Sequence, residues 1–174
     1  MKLEIGPRES PHKLDPEWEH LDLCRWPHVE IVAPMQTIPR PDNYYDAIYT
    51  SHCWEHATRR EAQDALKEWF RILKPNGELE IIVPNLLEVC REIIILNESG
   101  FLGKEKEIFD RLEMMLDWIY GGQGDGNDFH KIGYMPYTVQ YYLKNHGFII
   151  VDIKNMPTER GKWNLYIKAK KPNG

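Results

Sequence analysis

The chain has few cysteines. Its 174 residues include only three, Cys24, Cys53 and Cys90, which is an odd number at wide spacings. Small disulfide-stabilised domains carry an even number of cysteines at shorter spacings, so no disulfide framework is expected. Free thiols are typical of proteins that work in a reducing compartment.

The chain also lacks a basic excess and a long apolar run. Lys and Arg total 22 against 27 Asp and Glu, which gives a formal net charge of -5. Nucleic-acid binders usually carry a basic surface, so no nucleic-acid partner is expected. The apolar run 93–96 is far too short to cross a bilayer, and the first apolar run begins too early for a signal peptide. We therefore expect a cytoplasmic protein without membrane contact, whose oligomeric state the sequence does not indicate.

Short apolar runs alternate with amphipathic stretches, a pattern that is typical of an α/β domain. The predicted strands are 3–5, 19–23, 29–32, 46–50 and 79–83, with a late pair at 148–153 and 164–168. The polar segment 154–162 is predicted to be a long hairpin loop between the late pair.

Helices are predicted over about 59–73, 86–96, 104–120 and 137–145. Thr58 and Glu61 have the spacing of a capping box at the start of the first helix. The length suits a single domain over 1–174. A long connection at about 86–135 is expected to form a helical or lid insertion.

Candidate ligand-binding residues follow the early predicted strands. In an open parallel sheet, ligands bind beyond the carboxyl ends of the strands. The loops that leave the first four strands should therefore converge on one crevice. They begin at Gly6, Asp22, Ala33 and Thr50.

Six stretches in a fixed order resemble a known family. They are Leu3-Glu4-Ile5-Gly6, the strand-closing Asp22, 38–49, Ser51-His52-Cys53-Trp54-Glu55-His56, 73–79 and Val83-Pro84-Asn85-Leu86. This set resembles class I S-adenosylmethionine-dependent methyltransferases of the type 11 group. The likeness extends to short members of that group with Gly121-Gly122-Gln123 and Phe129-His130-Lys131. It implies a single Rossmann-like three-layer α/β/α domain with a seven-stranded, mostly parallel sheet and an antiparallel last strand.

The resemblance also implies roles for particular residues, with S-adenosylmethionine as the cofactor. Gly6 would allow the backbone to approach the ligand closely, and Asp22 would accept the ribose hydroxyls. Met35 is a candidate for the adenine site, and the loop after the fourth strand would face the transferred methyl group. The full expected cofactor set is Glu4, Gly6, Pro7, Arg8, Asp22, Leu23, Met35, Thr50, Ser51 and His52.

Three features depart from the family pattern. Arg8 stands where a second glycine is usual, so it either narrows the pocket or pairs with the methionine carboxylate of the cofactor. An acidic residue that is common near Ala33 or Pro34 is missing. The short spacing between Gly6 and Asp22 leaves room for at most a very short helix. A degenerate, non-catalytic Rossmann-like ligand-binding module is therefore the alternative to an enzyme.

The expected reaction is direct transfer of the methyl group to an oxygen or nitrogen of a small molecule. A hydroxyl acceptor would need a general base, and His130 and His52 are the candidates, in that order. His52 and His56 lie four residues apart, a spacing that can hold zinc with Glu55 or His130 as a third ligand. Nothing in the spacing demands a metal, so none is expected.

Overall fold

The computed structural model describes residues 1–98, 104–158 and 161–173. Within these ranges seven strands form one sheet in the order β3-β2-β1-β4-β5-β7-β6. The strands are β1 (Lys2–Ile5), β2 (Trp18–Asp22), β3 (Ile31–Val32), β4 (Tyr45–Ser51), β5 (Leu73–Pro84), β6 (Ile149–Thr158) and β7 (Gly161–Lys170). Pairs among β1 to β5 are parallel, whereas β7 runs antiparallel to both β5 and β6. The predicted mostly parallel sheet is confirmed.

The prediction of a long hairpin loop at 154–162 is wrong for the residues that the structure describes. Polar residues continue the ladder here, with Lys154 opposite Tyr166 and Asn155 opposite Leu165. Lys154 also lies over the ring of Tyr166 and pairs with Asp152. The polar residues of this segment lie on an exposed strand surface, so their polarity does not indicate a loop. Residues 159 and 160 lie outside the described residues.

Four helices were predicted close to their observed bounds. Within the described residues they are α1 (Arg59–Ile72), α2 (Leu86–Glu98), α3 (Glu105–Tyr120) and α4 (Pro136–Asn145). The predicted capping box is present, because Thr58 N donates to the Glu61 carboxylate and Glu61 N to the Thr58 hydroxyl. A short 3₁₀ turn, Trp54–His56, follows β4. No helix in the described ranges is long and apolar enough to cross a membrane.

The apolar core joins α1 and α4 to the sheet. Leu66 and Trp69 of α1 and Leu143 of α4 belong to the same buried cluster as Ile48 and Ile81. A second, smaller cluster unites α2 and α3 with β7, through Val89, Ile108, Met115 and Trp163 among others. The region predicted as an insertion thus includes a helical pair with its own apolar contacts, although its status as a lid stays a prediction.

The first two crossovers are short. Residues 6–17 and 23–30, all within the described ranges, hold turns and bends rather than a helix. This agrees with the short spacing between Gly6 and Asp22. Glu4, which points away from the α1 side, is covered instead by the backbone of this loop: its carboxylate accepts from His12 N at 2.9 Å and Lys13 N at 3.0 Å. The loop therefore takes over part of the covering role of a crossover helix.

Candidate functional site

A cavity of about 250 Å³ opens at the carboxyl ends of β1, β2 and β4. Its walls come from four loops and from the segment 121–131, which we call the lid segment. Predicted site residues in the walls are Gly6, Arg8, Asp22, Leu23, Met35 and His52, joined by residues such as Cys24, Trp26, Cys53, His56, Asp125 and Lys131. The structure thus brings six predicted residues together around this cavity, which we call the first cavity.

Asp22 lines this cavity and is buried. One carboxylate oxygen accepts from Arg8 N at 3.0 Å and the other from Cys24 N at 2.9 Å. These two bonds fix the orientation of the carboxylate between the loops after β1 and β2. A carboxylate can accept about four hydrogen bonds, so its oxygens retain capacity for two ligand hydroxyls.

The structure shows a further reason for a glycine at position 6, beside the predicted approach to a ligand. Its φ of +74° favours glycine, and a Cβ built there would lie 2.4 Å from Cys53 Sγ and 2.7 Å from Cys53 Cβ. The close approach that excludes a side chain is therefore to Cys53 of the loop after β4. Gly6 brings the loops after β1 and β4 into contact, which shapes the first cavity.

Arg8 contacts the lid segment. Its guanidinium lies 3.1 Å from Asp128 Oδ1 and 3.3 Å from Asp125 Oδ2. A hydrogen bond from Gly124 N, followed by the pairing with Arg8, holds the pKa of the Asp128 carboxyl below its usual value. Sequence reasoning missed both acidic partners, because they lie more than a hundred residues from Arg8 and only the fold brings them close.

The end of the first cavity between the loops after β2 and β3 is mainly apolar. Leu23 and Met35 of the predicted cofactor set line it, and Trp26 joins them. The Trp26 indole N–H is buried and has no partner in the described part of the chain. An unpaired buried donor beside an apolar wall suits a planar heterocycle that carries acceptor nitrogens. Sequence reasoning missed Trp26, which could have been found from its position four residues after the strand-closing Asp22.

His52 lies at the opposite end of the first cavity. Its backbone has φ +49°, an unusual conformation for a non-glycine residue and one that is common at functional sites. His52 Nδ1 is 3.3 Å from Glu55 Oε1, and its ring packs edge-on against Trp118. The residue therefore connects the first cavity to the 3₁₀ turn and to α3.

His130 lines a second cavity of about 220 Å³, beside Trp118 and Leu86. Its Nδ1 is 3.1 Å from Trp118 O, and its ring packs against His56, which lines the first cavity. Burial lowers the pKa of His130, so the neutral ring is favoured at neutral pH. Lys131 lines both cavities, which shows that the two adjoin.

Four predicted cofactor residues do not line the first cavity. Glu4 points into the loop at 12–13 as described above, and Pro7 is buried. Thr50 is fully buried, and its hydroxyl accepts no hydrogen bond within the described residues. Ser51 is half-buried near the end of β4. The alternation of side chains along a strand sends Glu4 to the face opposite Leu3 and Ile5.

The family model described as "Methyltransferase domain" matches residues 12–81. A ubiquinone/menaquinone biosynthesis C-methyltransferase of Vibrio cholerae is 38% identical over 52 residues, which are 30% of this chain and 19% of that relative. A similar enzyme of Chromobacterium violaceum is 39% identical over 51 residues, 29% of this chain and 20% of the relative. The chain thus resembles methyltransferases of the type 11 group. That predicted resemblance is confirmed, although the matched segment spans only about a fifth of these relatives.

Solved structures show the same fold. A Burkholderia thailandensis 1,6-didemethyltoxoflavin-N1-methyltransferase, solved with S-adenosylhomocysteine, has a TM-score of 0.63 at 13% identity, over 98% of this chain and 70% of that one. An S-adenosylmethionine-dependent methyltransferase of Methanosarcina mazei has a TM-score of 0.62 at 12% identity, over 99% of this chain and 92% of that one. The [4+2]-cyclase SpnF has a TM-score of 0.58 at 13% identity, over 99% and 74%. The predicted Rossmann-like fold, which these methyltransferases share, is therefore confirmed.

Proposed function

We propose that the protein binds S-adenosylmethionine in the first cavity and transfers its methyl group to an oxygen or nitrogen of a small molecule. The observation that carries this proposal is the convergence of Gly6, Asp22 and His52 around one cavity at the carboxyl ends of parallel strands. Ligands of open α/β sheets bind at that edge. The family match over residues 12–81 supports the choice of cofactor.

The chemistry of the walls suits the cofactor part by part. Asp22 would accept the ribose hydroxyls with the lone pairs that Arg8 N and Cys24 N leave free. Trp26, Leu23 and Met35 would enclose the adenine, with the Trp26 indole N–H as a donor. Arg8, already paired with the lid segment, would hold that segment over the bound cofactor.

The acceptor would enter from the side of His52 and the second cavity. Methyl transfer needs an in-line approach of the nucleophile to the methyl carbon, and positioning alone can contribute roughly 7–11 kcal/mol. For a hydroxyl acceptor, His130 and His52 are our candidate bases. Donation from His130 Nδ1 to Trp118 O leaves Nε2 as the basic atom, and burial keeps that ring neutral.

The alternative is a Rossmann-like module that binds a ligand without turnover. One observation favours it: Arg8 and its acidic partner Asp125 both lie in the wall of the first cavity. A neighbour with this fold is called a cyclase, so the fold by itself does not fix the chemistry.

Titration calorimetry with S-adenosylmethionine and S-adenosylhomocysteine tests the proposal. We expect one molecule of either ligand to bind per chain. Heat from neither ligand would refute the proposal. If binding is found, an activity assay separates the enzyme from a module that binds without turnover. The protein is incubated with S-adenosylmethionine and a panel of small hydroxyl and amine compounds, and only an enzyme should form S-adenosylhomocysteine.

A further inference from the structure

Three side chains that can ligate a metal meet in the wall between the two cavities. Glu55 and His56 come from the 3₁₀ turn after β4, and His130 comes from the end of the lid segment. Each offers one ligand atom, and these atoms all lie within 4.8 Å of one another. His56 lines the first cavity and His130 the second, so an ion between them would be reachable from both.

The Glu55 carboxylate lacks compensation for its burial. Glu55 is 1% exposed, and neither carboxylate oxygen accepts a hydrogen bond from the part of the chain that the structure describes. The basic atoms near Oε1 are His52 Nδ1 at 3.3 Å and His130 Nε2 at 4.0 Å. Removing a carboxylate from water is unfavourable unless a cation or hydrogen-bond donors compensate it. A bound metal cation would supply that compensation.

Both histidines are held by the same kind of contact. His56 Nδ1 lies 3.1 Å from Phe129 O, and His130 Nδ1 lies 3.1 Å from Trp118 O. A neutral histidine whose Nδ1–H donates to a carbonyl presents the lone pair of Nε2. Histidine ligands of metals are typically oriented by such a second hydrogen bond.

The backbone fixes the distance between the two segments. Glu55 O accepts from Lys131 N at 2.8 Å and from Ile132 N at 3.3 Å. These bonds tie the residues that follow His130 directly to the 3₁₀ turn. The spacing of the three side chains therefore depends on main-chain hydrogen bonds, and small rotations of the side chains can close it around an ion.

We propose that Glu55, His56 and His130 bind a single Zn²⁺ ion. Two imidazole nitrogens and one carboxylate oxygen suit zinc, whereas Mg²⁺ and Ca²⁺ prefer oxygen ligands throughout. Three protein ligands leave a fourth position open toward the cavities, as in catalytic zinc sites. The site does not depend on the proposed methyl transfer. When zinc is bound, His130 Nε2 is a ligand and His52 is the remaining candidate base.

The test uses the full chain without a histidine tag, stripped with a chelator and dialysed. Calorimetry with ZnCl₂ should show one binding site per chain. Elemental analysis should find one zinc ion retained per chain. Substitution with Co²⁺ should give the visible absorption spectrum of a tetrahedral site. Glu55→Gln, His56→Ala and His130→Ala should each weaken zinc binding by at least roughly 100-fold, since even loss of a hydrogen bond to a ligand costs 10–100-fold.

His146→Ala is the matched control. His146 Nδ1 also lies against a backbone carbonyl, Tyr142 O at 2.7 Å, but the residue is not part of the cluster. We expect this variant to bind zinc as the unmodified chain does. Circular dichroism checks that each variant is folded. If an alanine variant unfolds, zinc binding by the near-isosteric Glu55→Gln variant tests the proposal instead.

Two results would overturn the proposal. One is the absence of zinc binding by the stripped chain. The other is equal zinc binding in the three ligand variants and in His146→Ala, which would indicate adventitious surface sites. A parallel titration with S-adenosylhomocysteine keeps the two proposals separate, because the cofactor can bind whether or not zinc does.

Discussion

Asp22 shows how a single side chain can both organise a site and bind its ligand. Its two oxygens accept from Arg8 N and Cys24 N, so the carboxylate joins the loops after β1 and β2. Asp22→Ala should weaken S-adenosylhomocysteine binding by about 1–3 kcal/mol, the usual cost of losing a charge-assisted hydrogen bond. Calorimetry measures the change, with Asp110→Ala, at an exposed position of α3, as the control. Unchanged affinity in Asp22→Ala would remove the residue from the site.

The backbone conformation and close packing of Gly6 predict that a side chain there lowers the stability of the protein. Gly6→Ala should destabilise the protein by about 1–3 kcal/mol, because the φ of +74° and the 2.4 Å approach to Cys53 Sγ both disfavour a side chain. Gly126→Ala is the matched control, since a Cβ there meets nothing within 4 Å. Chemical unfolding of both variants measures the difference. Equal free energies of unfolding would contradict the packing described for Gly6.

The three thiols should react at different rates. Burial raises the pKa of the Cys53 thiol to about 12, whereas Cys24 and Cys90 are exposed. The thiolate is the reactive form, so a raised pKa keeps Cys53 protonated and inert until strongly alkaline pH. Alkylation with iodoacetamide at pH about 8, mapped by mass spectrometry, should label Cys24 and Cys90 first. Labelling of Cys53 at the same rate as Cys24 and Cys90 would contradict the raised pKa of its thiol.

At this scale the sequence predicts some site residues and misses others for a physical reason. Gly6 and Asp22 are predictable because each lies at the end of an apolar run, and such ends share one edge of the sheet. Glu4 belongs to the expected cofactor set, but the alternation of side chains along β1 directs it to the face of the sheet opposite Leu3 and Ile5. The partners of Arg8 were missed because a pairing between distant segments leaves no local pattern.

Among the elements, the lid segment has the most direct functional consequence. Asp125 and Asp128 hold it against Arg8, and exposed ion pairs of this kind contribute at most about 1 kcal/mol each. Arg8→Ala should therefore speed amide hydrogen exchange in residues 121–128 by up to roughly fivefold per lost pair. Arg60→Ala, at a highly exposed arginine, is the control.

The pH dependence of this contact follows from the lowered pKa of Asp128. A carboxyl whose folded-state pKa is lowered contributes stability above its ordinary pKa and loses it as the pH falls through the folded value. The contact should therefore be the same at pH about 6 and about 8 and weaken only in acid. An equal effect of Arg8→Ala and Arg60→Ala on exchange would show that the pairing does not hold the lid segment.

The helices and most strands were predictable because periodicity and capping act locally. α1 begins at its capping box, and its apolar stripe includes Leu66 and Trp69. The extension of β6 and β7 was not predictable in the same way. There the ladder is stabilised by pairing between strands, and Lys154 and Asn155 lie on an exposed surface where polarity carries no information about pairing.

Across the whole molecule, the proposed site is divided between two parts of the chain. Most of the walls proposed for the cofactor come from β1 to β4 and their loops, within or next to the matched residues 12–81, and the lid segment adds Asp125, Asn127 and Lys131. The second cavity is lined by the end of β5, the start of α2, the end of α3, the lid segment and the residues before α4. The residues that line the second cavity therefore all lie outside the family match.

Chemical-shift mapping of the ¹⁵N-labelled chain, titrated with S-adenosylhomocysteine, tests the cofactor site most directly. We expect the largest shifts at the amides of Gly6, Arg8 and Leu23 and at the Trp26 indole N–H, all around the first cavity. The amides of Glu80 and Lys168, on β5 and β7 away from this cavity, should not move. No shifts at saturating ligand, or shifts centred on Glu80 and Lys168, would contradict the account.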